Sequence, residues 1–474
     1  MKKLIYILLV ALTATGCKKG YFDLNENPNQ VTTPGLPSLL STATHKSGIN
    51  SYNVAGITSY FTQYLANPVA GAATDIYQVV DYSGTWDALY YAMADISDMK
   101  KLAQQLGSSE YVGVANVLLA YNLSLVNDLW GAAPFTEAFQ ASILTPKYDN
   151  DKVLYDSVVS LLNQAITELT KTDATIKLAA ASDMIHGVIL PTVQDSRPKW
   201  LKTAYALKAR VLNKVSKTAD YNAASVLAAI DNAYTGNADD AGMAKFQTRN
   251  NWATVALNNA GNTLGGWLSE QLIDHLNGIS YGIVDPRISK ITDLPVGGVY
   301  IGTVNGAGNR PPNNNTVKDE CYVSGNSPWT SATAPLLIMS YAEQKFIEAE
   351  AALATNPTRA YNAYLAGINA NMDKLQVPSA DPLRVAYMAA AAVGSANLTK
   401  DLIFKEKYVA TYLNPEAWND ARRYNYQYKN FTLPVNSVLS TFIRRVAYPT
   451  GETSKNGANV PDVAGLDTRL WWDQ

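Results

Sequence analysis

From near Leu39 onward, apolar residues return at three- and four-residue steps through most of the chain. That spacing puts them on one stripe of an α-helix and does not suit a strand, whose side chains change face at every residue. In PKWLKTAYALKARVLNKVSK the stripe runs through Leu201, Ala204, Leu207, Val211 and Val215, and Pro198 stands where a helix begins. In SYAEQKFIEAEAAL it runs through Ala342, Phe346, Ala349 and Leu353. Comparable stripes cover 85–106, 109–128, 153–169, 221–234, 268–277, 358–374 and 398–413. Strand signals are short and weak, so the fold class predicted is mainly α. The helices come in pairs across short breaks: 85–106 with 109–128, and 335–354 with 358–374, the latter broken at Asn356-Pro357. Such pairs imply a helical array with tetratricopeptide-like stacking, although no repeat consensus of about 34 residues is visible.

Two long stretches break the helical pattern, Ala66 to Thr85 and Leu294 to Pro335. Ordered loops of that length are uncommon in compact domains and usually carry function. Tyr77, Tyr82, Tyr300, Tyr322 and Trp329 lie in them and argue against plain disorder. A third irregular stretch runs from Tyr448 to Trp472. The chain holds 29 Tyr and 9 Trp against 9 Phe, a bias toward rings with a polar tip. Such rings serve wet binding surfaces as well as cores, and most of them are expected to pack between helices.

Several function classes are excluded. A net charge of −2 favours neither nucleic acid nor an anionic membrane surface as partner. Two cysteines, Cys17 and Cys321, and three well-separated histidines, His45, His186 and His275, offer no disulfide framework and no metal site. No Gly-x-Ser-x-Gly, Walker loop or zinc signature is present, and no carboxylate pair stands in a catalytic motif, so no catalytic residue and no cofactor is expected.

The N-terminus reads MKKLIYILLVALTATGC. Lys2 and Lys3 precede an apolar run from Leu4 to Leu12, too short to span a bilayer and suited to a signal peptide over residues 1–16. Ala14, Thr15 and Gly16 then lead into Cys17. On these residues alone the site reads either as a lipobox, with Ala14 in place of the usual Leu, or as an ordinary signal-peptidase site. In the first case Cys17 is acylated, and its acyl chains hold the protein on a membrane. Residues 17–37, rich in Asn, Pro, Gly and Thr, then form an extended leader, and 38–474 a single helical domain.

Seven further segments occur in an order that resembles the SusD/RagB family of bacterial outer-membrane nutrient-binding lipoproteins, in particular its branch with an N-terminal Asn-Pro-Asn signature. They are FDLNENPN from Phe22, NDLWGAAPFTEA from Asn127, TPKYDNDKVLY from Thr145, VDPRI from Val284, the Ser340–Leu353 helix, IFKEKYVATYLNPEAWNDARRYN from Ile403, and the C-terminal run from Arg444 to Asp473. Ala132 and Phe135 depart from the Asp and Tyr usual in that family's turn. The stretch from Phe22 begins five residues past Cys17 and so favours lipidation there. The resemblance implies a lipid-anchored protein on the outer face of the outer membrane that captures a nutrient, most often an oligosaccharide, and delivers it to a SusC-like TonB-dependent barrel. A peptide ligand is the alternative within the family, and a surface glycoside hydrolase or a purely structural adaptor on the barrel the alternatives outside it. The loop residues suited to holding a sugar, by ring stacking or hydrogen bonding, are Asp75, Tyr77, Tyr82, Tyr300, Asn309, Arg310, Asn313 and Trp329. Trp86, on a helix, suits packing more than a ligand platform. Glu343, Glu348 and Glu350 are expected to pair with Arg422, Arg423, Arg444 and Arg445 as buried structural ion pairs.

Overall fold

The computed structural model describes residues 34–187, 195–260, 265–310 and 318–474. The signal peptide, Cys17, the leader up to residue 33 and Asn313 lie outside the described residues.

Helices α1 Leu36–Phe61, α2 Ser83–Gln105, α3 Ser109–Trp130, α4 Asp151–Thr170, α5 Arg197–Lys214 and α6 Ala223–Ile230 each pack on the next. The chain then crosses α7 Asn251–Ala260, α8 Glu270–Leu276 and α9 Ile288–Ile291. It returns to the stack with α10 Tyr341–Ala352, which packs on α5 and α6, and α11 Pro357–Lys374, paired with α10. Helices α12 Pro382–Ala391, α13 Lys400–Ala410, α14 Glu416–Arg423 and α15 Thr450–Lys455 complete the described set. Side-chain caps set several starts, as the stripes require. Asn150 accepts from the Val153 amide, Asn356 from Arg359, and Thr399 from Leu402. Helix α3 is apolar and long enough to cross a membrane, yet all of it except Ser124 is buried. It is the spine of the core.

Two short antiparallel pairs join distant parts of the chain: β1 Leu65–Ala66 with β3 Trp267–Leu268, and β2 Ala241–Met243 with β4 Leu336–Met339. The last corrects a sequence expectation. The apolar pattern groups residues 335–339 with the following helix, but Leu336 to Met339 form a buried strand, and Ser340 caps α10 by accepting from the Glu343 amide.

The buried ion pairs form with partners only partly foreseen. Arg423 forks onto Glu350 at 2.7 and 2.9 Å and reaches Asp420 at 2.6 Å. Glu343, however, takes Arg210 at 2.7 and 2.6 Å, and Glu348 takes Arg359 at 2.7 Å. Arg444 holds Asp473 at 2.9 Å, while Arg422 and Arg445 donate to backbone carbonyls. The Asp-Pro-Arg turn supplies another centre. Arg287 forks onto Asp285 and reaches Glu406 at 2.5 Å and Asn371 at 3.0 Å.

Candidate functional site

The long irregular stretches are held together by their backbones. The Gly71 amide donates to Gly306 O at 2.9 Å, and the Asn309 amide donates to Pro68 O at 3.1 Å. From the segment after α14, Val435 N donates to Asn305 O and Val438 N to Ile76 O, both at 2.9 Å. Close approach of this kind needs glycine. Gly306 has φ +81°, and a Cβ there would stand 2.0 Å from Val435 O. Gly302 lies against α8, where a Cβ would meet the Glu270 Cα at 2.4 Å.

Asp75 sits inside this clasp, fully buried. Its carboxylate accepts from the Asn67 amide at 2.9 Å and the Gly306 amide at 3.0 Å. Burial pushes its pKa up to about 6, against the lowering effect of those two bonds. A carboxyl that binds its proton more tightly when folded stabilises the fold at low pH, and gives that contribution up as pH rises through the folded value. Asp75→Asn keeps an acceptor for both amides and removes the titration. Its stability relative to the parent should therefore rise by about 2 kcal/mol between pH 4 and pH 7 in urea denaturation. A difference that is flat with pH would refute this account.

The clasp frames a cleft along α8. Ser269 caps this helix and donates to the Asn305 side chain at 2.6 Å, tying the cap to the loop. On one side lies a cavity of about 490 Å³, lined by Glu270, Asp274, Asn277, Tyr300 and Arg310 together with Ile279, Leu294 and Val299. On the other lies a cavity of about 260 Å³, lined by Gln63, Gln271, Asn305, Asn430 and Thr432 and again by Glu270 and Asp274. These two residues thus line both compartments. Burial raises the pKa of each, most strongly opposed at Glu270 by Arg310 and at Asp274 by the Asn277 amide. Arg310 is itself tied to Glu320 at 3.0 Å by both its backbone amide and its guanidinium. The cleft offers half-buried hydrogen-bonding groups beside the partly exposed ring of Tyr300.

Of the residues singled out from sequence, Tyr300 and Arg310 come together here. Asp75 lies behind the cleft as the clasp's anchor. Tyr77 is buried edge-on against Phe61 and lines a different, largely apolar cavity of about 510 Å³ formed with residues 438–448 and 460–466. Tyr82 is half-buried just before α2. Trp86 is buried against Tyr90 and Trp130, in keeping with packing. Trp329 is buried and donates its indole N–H to Tyr412 O at 2.7 Å. Asn309 is buried within the clasp. Sequence reasoning missed Glu270, Asp274 and Asn277. Their spacing of four and then three residues is the polar counterpart of the apolar stripe read at 268–277, and it was the available signal.

The chain matches the SusD-like family model described as "Starch-binding associating with outer membrane" over residues 26–449. The protein belongs to this SusD-like family. No curated protein matches it. Among solved structures it is similar to a SusD/RagB family protein from Bacteroides thetaiotaomicron, with TM-score 0.75 and 20% identity, covering 93% of this chain and 99% of that one. It is similar to a SusD homologue from Bacteroides uniformis at TM-score 0.76 and 20% identity, covering 93% and 99%. A chitin-binding SusD homologue from Flavobacterium johnsoniae gives TM-score 0.77 at 18% identity, covering 93% and 98%. These identities establish the shared fold.

Proposed function

We propose that the protein is a lipid-anchored outer-membrane protein that captures an oligosaccharide at the cell surface and delivers it to a SusC-like TonB-dependent barrel. The observation that carries the reading is the α8 cleft, where the Tyr300 ring stands beside Glu270, Asp274 and Asn277. A sugar ring presents a C–H face to an aromatic ring and hydroxyls to carboxylates and amides, and this wall offers both. Family membership and a chitin-binding neighbour of the same fold support a saccharide over a peptide. The protein acts by binding and does no chemistry on its ligand. The three-part organisation is a signal peptide over 1–16, a lipidated leader from Cys17 that serves as tether and ends where α1 begins at Leu36, and one domain over the rest of the chain.

A glycan array followed by calorimetry tests the reading. Purified protein should bind at least one oligosaccharide class. Tyr300→Ala and Asp274→Asn should each weaken that binding roughly tenfold, with the circular dichroism spectrum unchanged. Binding to peptides and to no glycan would overturn it, as would release of reducing sugar at catalytic rates. The anchor is tested separately. Cys17→Ala should lose acyl labelling and membrane association, and a variant that stayed membrane-bound without the transporter would place the anchor elsewhere.

A further inference from the structure

The two compartments that meet at Glu270 and Asp274 differ in chemistry. The smaller mixes side-chain amides and a hydroxyl, from Gln63, Gln271, Asn305, Asn430 and Thr432, with the apolar residues Val304, Leu433, Pro434 and Val435. The larger is the more apolar of the two: beside Glu270, Asp274, Asn277 and Arg310 it is lined by the aliphatic side chains of Ile279, Leu294 and Val299. Those three aliphatic side chains are 67%, 55% and 58% exposed. Large aliphatic side chains gathered around a concavity, rather than scattered singly, mark a surface that receives apolar matter. An unmodified saccharide would serve this surface badly. Its hydroxyls would lose water there and find no partner on Ile279, Leu294 or Val299, a costly arrangement.

From this juxtaposition we infer that the ligand is an acyl-substituted oligosaccharide, whose sugar chain lies along the polar side of the cleft and whose O-linked acyl group, aliphatic or aromatic, fills the aliphatic side of the larger cavity. This rests on the saccharide reading given above and adds the substituent to it. Glu270 and Asp274 line both compartments, which places the two within the span of one oligosaccharide. The larger cavity, at about 490 Å³, has room for a monosaccharide unit together with an aromatic acyl group.

Mild alkali tests this, because saponification removes O-acyl esters and leaves the glycosidic chain intact. Feruloylated arabinoxylan oligosaccharides, acetylated xylan oligosaccharides and acetylated glucomannan oligosaccharides are each presented to the full-length protein before and after saponification. An acylated form should bind more tightly than its saponified partner. Covering roughly 100 Å² of apolar surface corresponds to on the order of fiftyfold for an aromatic acyl group, and less for acetyl. Val299→Asn and Leu294→Asn alter exposed side chains and should leave folding intact. Each should cut the acylated form's advantage at least fivefold, while binding of the saponified form stays within twofold. Equal binding before and after saponification, or an advantage that survives both substitutions, overturns the acyl assignment and leaves the saccharide reading standing. Failure of all three in both forms overturns the acyl assignment, and the saccharide reading falls with it only if the glycan array also shows no binding.

Discussion

Arg287→Met should lower stability by about 3–5 kcal/mol, read as a shift of the urea midpoint without a change in slope. Four separate parts of the chain converge on this guanidinium. Asp285 precedes α9, Asn371 is on α11, Glu406 is on α13, and Tyr387 of α12 lies 5.7 Å from the cation while donating to Glu406 at 2.7 Å. Arg287 is fully buried, and so is Glu406. Burial alone would raise the Glu406 pKa, but Lys405 and Arg287 outweigh it and hold it below the usual carboxylate range. Without Arg287, Asp285 keeps its bond from the backbone amide of residue 287, and Glu406 keeps Lys405 at 3.1 Å. Asp285 loses its forked partner and Glu406 its contact with the guanidinium. The loss comes from stranded charge more than from lost packing, because methionine fills much of the same volume. Adding Glu406→Gln should therefore recover part of it. If the second change deepened the loss instead, packing would be the dominant cause. Arg287→Lys keeps the charge, cannot fork, and should fall between the two.

Gly306→Val should open the clasp while the helical stack stays folded. The new Cβ would meet Val435 O at 2.0 Å and the Val435 carbonyl carbon at 2.9 Å, on a backbone whose φ of +81° a β-branched residue does not adopt. Backbone cannot yield as a flexible side chain would, so one of the two strands of loop must leave. The amides of Gly71 and Asn309, bonded across the clasp, should then exchange with deuterium at least about a hundredfold faster, and saccharide binding should be lost with them. Far-ultraviolet circular dichroism should be unchanged. Gly297→Val is the control, since its Cβ would meet nothing within 4 Å and no exchange increase is expected. Unchanged protection in Gly306→Val would mean that the loops are held by something other than their backbones.

The helical stack was legible because a long amphipathic helix writes its period into the sequence many times over. Helix α2 begins two residues before the stripe read at 85–106, and α4 brackets the one at 153–169. The segment at 336–339 failed for the opposite reason. Leu-Leu-Ile-Met is uniformly apolar, and a run of four cannot separate a buried strand from a buried helical turn. Its partner, Ala241–Met243, lies almost a hundred residues earlier and carries no mark of the pairing. The same distance hid the Arg210–Glu343 pair, which spans 133 positions. Of the aromatic residues chosen from the loops, Tyr300 reached the cleft, whereas Tyr77 and Trp329 went inward. An aromatic ring with a polar tip satisfies either environment, and composition gives no way to tell which. Asp75 was visible as a polar loop residue, but its role depends on two amides that only the folded chain brings to it.

Around the buried Asp75 and Asn305 side chains, four of the contacts that clasp the loops join main-chain atoms: Gly71 with Gly306, Asn309 with Pro68, Val435 with Asn305, and Val438 with Ile76. Peptide groups are the same whatever residue carries them. Side chains along the cleft rim can therefore be exchanged with little penalty to the frame that presents them, provided the few glycines at the crossings remain. Such a frame separates inheritance of shape from inheritance of taste. On the binding role proposed above, a lineage carrying it would change its ligand by a handful of substitutions at positions such as Leu294, Val299 and Tyr300, without first acquiring the stability to tolerate them.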